Sequence, residues 1–515
     1  MQNVNGIASL PTELLGDIFL KNTERDDPNH NRLVTARRSS QVCQLWRAIL
    51  LASPSVWARL LHLNYFEKAK EIWTQEVIAR GAGAALWITG NIISSSTLPL
   101  FKSLMKNHWE RVQDLEVTDV QEQGSNKTWT FLSREAPILE RLDIRSFGRD
   151  PIYARRVGPP VIPFLFNNVA PHLQEFCVPQ CFWFDPTTPC LSNVRIFDIP
   201  ENHTVPMILS SLKMMSRLTH LKIAASPHLQ HPPVKETDLV KVNLPTLKRL
   251  QIWRREFHEA RTLLECITPS SHCSLMLVPE VPRVRHYNSP LARPWPCPLT
   301  TRDMILIQKW VMPYINGHRP NTLKLQIEQI GRFVLFAISD INLRDSTLVR
   351  SVLYVEVVLD AVEALSFVQE LIAFSRRLSC AVKRLQVDSL SVLSDWYSVY
   401  QDLDSITELT ITNLMDYYIP DPDARTWFTR DDITGQPREE ALFPRLHTLI
   451  LDVIFDPNHL EHIVDYLEYR REIGLPVSVL DASRSLYATA PECVRMRDCL
   501  DKLDGLVVMW KMAGV

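Results

Sequence analysis

One short pattern recurs along most of this chain and restricts its fold more than any other feature. It reads Pro-x-Leu-x-x-Leu-x-Ile, with conservative swaps. Full copies are Pro137-x-Leu139-x-x-Leu142-x-Ile144, Pro171-x-Leu173-x-x-Phe176-x-Val178, Pro245-x-Leu247-x-x-Leu250-x-Ile252 and Pro444-x-Leu446-x-x-Leu449-x-Leu451. Partial copies run through Val112-Leu115-Val117, Leu191-Val194-Ile196, Leu218-Leu221-Ile223, Val382-Leu385-Val387 and Ile406-Leu409-Ile411. The closing Leu-x-Ile alternates with period two, so both apolar residues lie on one face of a short strand. The leucine three residues earlier is expected to plug the turn into the strand, and the proline to stop a preceding helix.

Helical patterns fill the intervals, at Leu98 to Trp109, Met207 to Met215, Phe257 to Ile267, Met304 to Tyr314, Ala361 to Phe374, Val392 to Leu403 and Leu460 to Tyr469. Most copies lie about 20 to 40 residues apart, the period of a strand-plus-helix repeat. The long exception runs from Ile252 to Val382, where Thr322 to Ile327 and Arg332 to Ile338 fit the repeat poorly. The expectation is an α/β array of parallel strands and helices. Its alternative is a non-repetitive α/β domain whose strands follow prolines. The pattern resembles leucine-rich repeats of the irregular kind found behind F-boxes. The Asn or Cys expected after the strand in that family is mostly missing.

The N-terminus carries a different signal. Leu10, Leu14, Leu15, Ile18 and Phe19 form an apolar helical stripe, with Pro11 suited to the first turn and Glu13 complementing the helix dipole. A second helical pattern places Val42, Leu45, Trp46 and Ile49 on one face. Ser53-Pro54 then opens a turn before Trp57. Helices this short cannot bury all their apolar residues alone. The blocks Leu10-Pro11-x-Glu13-Leu14-Leu15-x-x-Ile18-Phe19, Val42-Cys43-x-x-Trp46-Arg47 and Pro54-Ser55-Val56-Trp57 resemble an F-box, most closely the F-box-like segments of fungal proteins. The polar stretch Lys21 to Arg38 departs from that family.

The resemblance implies a helical F-box over residues 1–62 and an irregular leucine-rich-repeat-like solenoid over 63–515. It implies docking on the Skp-type adaptor of an SCF cullin ubiquitin ligase complex, with a target protein held on the repeats. Adaptor-binding candidates are Leu10, Pro11, Glu13, Leu14, Leu15, Ile18, Phe19, Val42, Cys43, Trp46 and Trp57. The pattern does not separate those that face the adaptor from those that brace the helices. The alternative is an interaction scaffold whose N-terminal helices only cap the repeats.

Composition narrows the classes. With 46% hydrophobic residues over 515 positions, a sizeable core is available. A net charge of −2 removes the footprint expected of a nucleic-acid binder. Only 14 glycines stand against 35 prolines, which weighs against phosphate-cradling loops. Gly81-Ala-Gly83 lacks the third glycine of a dinucleotide fingerprint and reads as a turn before Leu86. Neither a signal-peptide pattern nor an uninterrupted apolar run of membrane length is present, so a soluble cytoplasmic or nuclear protein without a membrane partner is expected. The ten cysteines are expected as reduced thiols. Cys177-x-x-x-Cys181 with Cys190 and His172, Cys266 and Cys273 with His258 and His272, and His459-x-x-His462 match no common metal spacing. Neither Gly-x-Ser-x-Gly nor His-Glu-x-x-His occurs. No metal, cofactor or catalytic residue is expected, and the chain is not expected to be an enzyme in its own right. Trp295-Pro-Cys-Pro298 and Tyr417-Tyr418 are candidate loop contacts.

Overall fold

The computed structural model describes residues 10–24, 31–67, 71–93, 96–120, 126–146, 164–178, 182, 184–199, 203–224, 239–253, 257–278, 300–318, 323–330, 333–340, 353–360, 369, 382–387, 400, 402–411, 442–452, 457–483, 497 and 499–510. The loop candidates Trp295 to Pro298 and Tyr417-Tyr418, and Cys181, lie outside them. So does most of the expected helices 361–374 and 392–403. The fold is mixed α/β with mostly parallel strands. The chain divides into two compact units, Met1–Leu247 with Cys266–Thr268, and Lys248–Glu265 with Pro269–Val515. Residues 1–62 therefore belong to the same unit as the strands that follow them.

In the first unit a parallel ladder runs in chain order through Leu61–His62, Leu86–Ile92, Val112–Asp119, Arg141–Ser146, Glu175–Cys177, Ile196–Ile199 and His220–Ala224. Its register sets Ile88, Leu115, Leu142, Phe176, Phe197 and Leu221 in one row. All six are buried, as are Val117, Ile144, Ile199 and Ile223 in the next inward row. Burial of each such side chain contributes about 1.5–3 kcal/mol. The copy read as Leu191-Val194-Ile196 is therefore displaced by three residues: Val194 closes the turn, Phe197 and Ile199 face inward, and Ile196 lies beside Glu175 and His220. Helices Leu98–His108 and Val205–Leu212 supply Phe101, Leu104, Ile208 and Leu209 to the same core.

The plug leucines Leu139, Leu173, Leu247 and Leu446 are buried. The proline does a different job from the one expected. In each full copy it is the second residue of a four-residue turn closed by the leucine N–H. That group donates to Ala136 O (3.4 Å), Ala170 O (3.3 Å), Leu244 O (3.1 Å) and Phe443 O (2.9 Å) in the four copies. Proline fits that position because its φ is preset and its missing donor is not needed there. The same turn closes without proline at Leu218, onto Met215 O, and at Ile406, onto Leu403 O.

The second unit pairs Arg249–Trp253 in parallel with Ser274–Val278, which pairs in parallel with Tyr354–Asp360. Strand Phe333–Ser339 is antiparallel to both Tyr354–Asp360 and Leu323–Ile330. Parallel pairing resumes through Val382–Val387, Glu408–Ile411, Thr448–Leu451, Val479–Ala482 and Val507–Trp510. The all-parallel expectation fails at Phe333–Ser339. Only two residues separate it from Leu323–Ile330, far fewer than a parallel crossover needs.

Two positions carry testable energetics. Gly90 sits in a ladder strand at φ +116°, and an added Cβ would lie 2.6 Å from Asn64 Oδ1. That oxygen accepts the Asn91 N–H at 2.6 Å, so it cannot withdraw without losing a bond. Gly90→Ala is expected to destabilise the first unit by about 2 kcal/mol or more, read as a shift in its urea midpoint. In the second unit, Tyr314 OH donates to Asp340 Oδ2, and the Leu353 N–H donates to Asp340 Oδ1 at 2.8 Å. Burial raises the Asp340 carboxyl above the usual carboxylate range despite those bonds and nearby His318. The folded chain thus holds this proton more tightly than the unfolded chain. Stability from this group is fully present below the unfolded value, about 3.9, and falls as pH rises through the raised folded value. Asp340→Asn is expected to flatten that part of the stability–pH curve, measured by urea unfolding upward from pH 4.

Candidate functional site: a helical face and a charged strand face

The N-terminal helices are Thr12–Lys21, Arg32–Ser39, Gln44–Leu51 and Pro54–Ala58. Pro11 is not in the first turn but at the N-cap, in extended conformation (φ −54°, ψ 148°). Glu13 and Lys21 complement the dipole at the two ends. The third helix starts after Val42. Cys43 caps it, its Sγ accepting the Trp46 N–H at 3.5 Å. Its buried residue is Leu50, so Val42, Leu45, Trp46 and Ile49 do not form its core face. Trp46 and Ile49 are half-buried, while Val42 and Leu45 are exposed. The helix Arg32–Ser39 lies in the stretch that read as a polar interruption, and it buries Arg32, Leu33 and Ala36.

The candidate residues separate into two sets. Leu15, Phe19 and Trp57 are buried. Phe19 meets Trp46 edge-on at 5.2 Å between ring centroids. The Trp57 indole N–H donates to Leu50 O at 2.7 Å, and the Arg80 guanidinium lies 4.7 Å from its ring. These residues brace the helices. Leu14 (50% exposed), Ile18 (45%) and Val42 (63%) face outward, as do Pro11, Glu13 and Cys43, with Leu10 half-buried. Leu45, Val34 and Leu51 add exposed apolar surface on the neighbouring helices. Leu14 and Ile18 stand one turn apart on a helix that packs against the helix bearing Leu45.

The second candidate surface is the outward row of the first ladder. Its register sets His62, Thr89, Glu116, Asp143, Cys177, Asp198 and Lys222 side by side, one per strand. Arg145 reaches Asp143 at 2.7 Å and Glu116 at 3.4 Å. Arg141 lies 3.1 Å from Glu175, 3.6 Å from Glu116 and 3.7 Å from Asp143. Lys222 Nζ lies 2.5 Å from Asp198. Burial lowers the Arg141 guanidinium's pKa, but Glu116, Glu175, Asp114 and Asp143 outweigh it and hold the value above its ordinary one. Burial raises the Asp198 carboxyl against the pull of Lys222. Burial, with Asp143 and Asp198 adding to it, pushes the Cys177 thiol up to about 12, so it is a thiol and not a nucleophilic thiolate at neutral pH. Cross-strand pairing of opposite charges stabilises this row and gives it a fixed pattern of donors and acceptors.

Among the described residues no group of three or more His, Cys, Asp or Glu is placed to hold a metal ion. Cys190 and Cys273 are buried, and burial pushes both thiols up to about 12. The Gly81–Gly83 turn follows helix Glu71–Arg80, and its carbonyls are occupied: Arg111 donates to Gly81 O and, at 2.9 Å, to Ala84 O. A loop whose carbonyls point at an arginine does not present the amide cradle that a phosphate requires. Among the described residues no helix is long and apolar enough to cross a membrane. A scan against protein-family models finds no match, and a search of the curated proteins finds no relative.

Proposed function

We propose that this chain is a non-catalytic substrate receptor of an SCF-type cullin ubiquitin ligase. Its N-terminal helices form an F-box that docks on a Skp-type adaptor. The ladders form an irregular leucine-rich-repeat-like array that presents a target protein. The observation that carries this reading is the split within the N-terminal helices. A braced core of Leu15, Phe19, Leu50 and Trp57 holds Leu14, Ile18, Val42 and Leu45 out in solvent. Several large apolar side chains kept exposed on a packed helical segment mark a surface that another protein covers. Ubiquitin transfer would then follow from proximity within the assembly, not from chemistry on this chain.

A specific observation also favours the scaffold reading. Leu60, Leu61 and Leu63 are buried, and Leu61–His62 pairs with Leu86–Ile92, so these residues cover the end of the first ladder. Co-purification of the full chain with the adaptor distinguishes the two. Stoichiometric capture is expected. A monomer that ignores the adaptor, yet loses stability when residues 1–60 are deleted, would leave only the scaffold.

A further inference from the structure

Arg32 lies in the stretch where the resemblance to an F-box breaks down, yet its side chain is 8% exposed. Its Nη1 donates to Thr23 O (3.0 Å), just past the end of the first helix. Its Nη2 donates to Thr89 Oγ1 (3.3 Å) on the strand Leu86–Ile92. The cleft around it, lined by Phe19, Asn22, Thr35 and Leu50 among others, has room for about one water, so the guanidinium is closely enclosed. Thr89 follows His62 in the outward row that continues through Glu116 and Asp143 to Lys222. The other outward residue beside it, Trp87, carries the Arg59 guanidinium 4.1 Å from its ring. Both contacts reach from the helical segment onto the strand face opposite Ile88, and Arg32 with Thr89 is buried there.

We infer that Arg32 is a positioning residue that locks the docking helices onto Thr89, near the start of the charged strand row. An adaptor on the helices and a target on that row are thereby held in one mutual orientation. This inference rests on the proposed docking role. At about 4.8 Å per strand, the row extends about 24 Å from Thr89 to Lys222. That is short enough for a rigid link at one end to fix the orientation of whatever binds along it. Arginine suits the position because its planar fork donates in two directions at once, which a lysine point charge does not reproduce.

The test uses the full chain with spin labels carried by unnatural amino acids at Arg47, on the docking helices, and Lys213, beyond the strand row. One narrow distance distribution is expected for the unsubstituted chain and for Thr89→Ser, which keeps the hydroxyl. Arg32→Met and Thr89→Val are expected to broaden it, while adaptor affinity stays within about threefold. Distributions as narrow as the parent's in Arg32→Met and Thr89→Val would overturn the inference. So would loss of amide-exchange protection across residues 12–21, which would make Arg32 a folding residue only. If the parent chain does not bind the adaptor at all, the docking reading fails, while the widths still decide whether the lock exists.

Discussion

Arg470→Ala is expected to destabilise the second unit by about 4 kcal/mol. Arg470 is 1% exposed on the helix Pro457–Glu472. Its guanidinium donates to Leu442 O (2.7 Å), Phe443 O (3.2 Å) and Leu475 O (2.9 Å). Phe443 is itself held at φ +55°, a left-handed conformation that costs a non-glycine residue about 1–2 kcal/mol. Removing the guanidinium takes the donor from the buried Leu442 carbonyl, at about 1–3 kcal/mol, removes one of the two donors to Phe443 O, and loosens the turn that Pro444 and Leu446 close before the strand Thr448–Leu451. The neighbouring Arg471 is the control. It meets Asp504 at 3.2 Å with both side chains largely in water, so Arg471→Ala is expected to change stability by no more than about 0.5 kcal/mol. Urea titration read by amide exchange across 442–452 and 457–472 measures both. A loss under 1 kcal/mol for Arg470→Ala would show that the turn holds without its clamp.

Such a clamp is hard to read from sequence, and the reason is general to this chain. The Leu-x-Ile strands were legible because period-two alternation is local: Leu142 with Ile144 and Leu250 with Ile252 announce their face by spacing alone. Copies that depart by one residue were not. Cys273 closes the same turn onto Ser270 O, and Leu506 onto Leu503 O. Each stands one position nearer its strand residue, Leu275 or Val508, than the motif allows. Cys273 also replaces the plug leucine. The reversal at Phe333–Ser339 depends on how few residues precede it, not on its apolar pattern.

Buried charge is no more legible than the clamp. Charge usually implies solvent, yet Arg32 and Arg470 are both buried against backbone carbonyls. At the candidate docking site the residue types were legible and the facing was not. Leu14 with Ile18, and Leu15 with Phe19, are two adjacent i, i+4 stripes. Only the packing of Trp46 and Leu50 selects the second as the core.

That selection makes the docking reading separable from folding. Leu14→Asp with Ile18→Asp is expected to leave the fold intact, because both side chains already face water and surface substitutions rarely exceed about 0.5 kcal/mol. Capture of the adaptor is expected to fall at least about 100-fold. Covering a half-exposed leucine or isoleucine contributes about 1 kcal/mol, and a carboxylate in its place adds a desolvation cost of a few kcal/mol. Two such positions exceed the roughly 2.7 kcal/mol that a 100-fold change requires. Leu15→Ala is the counterpart one residue away. It empties a fully buried site and is expected to lower stability by about 2–5 kcal/mol, with the adaptor lost only as the helices unfold. Calorimetric binding of the adaptor to each variant, with circular dichroism melts alongside, separates the two effects. If the double aspartate chain binds as its parent does, the exposed stripe is not the docking surface, and the helices serve the ladder alone.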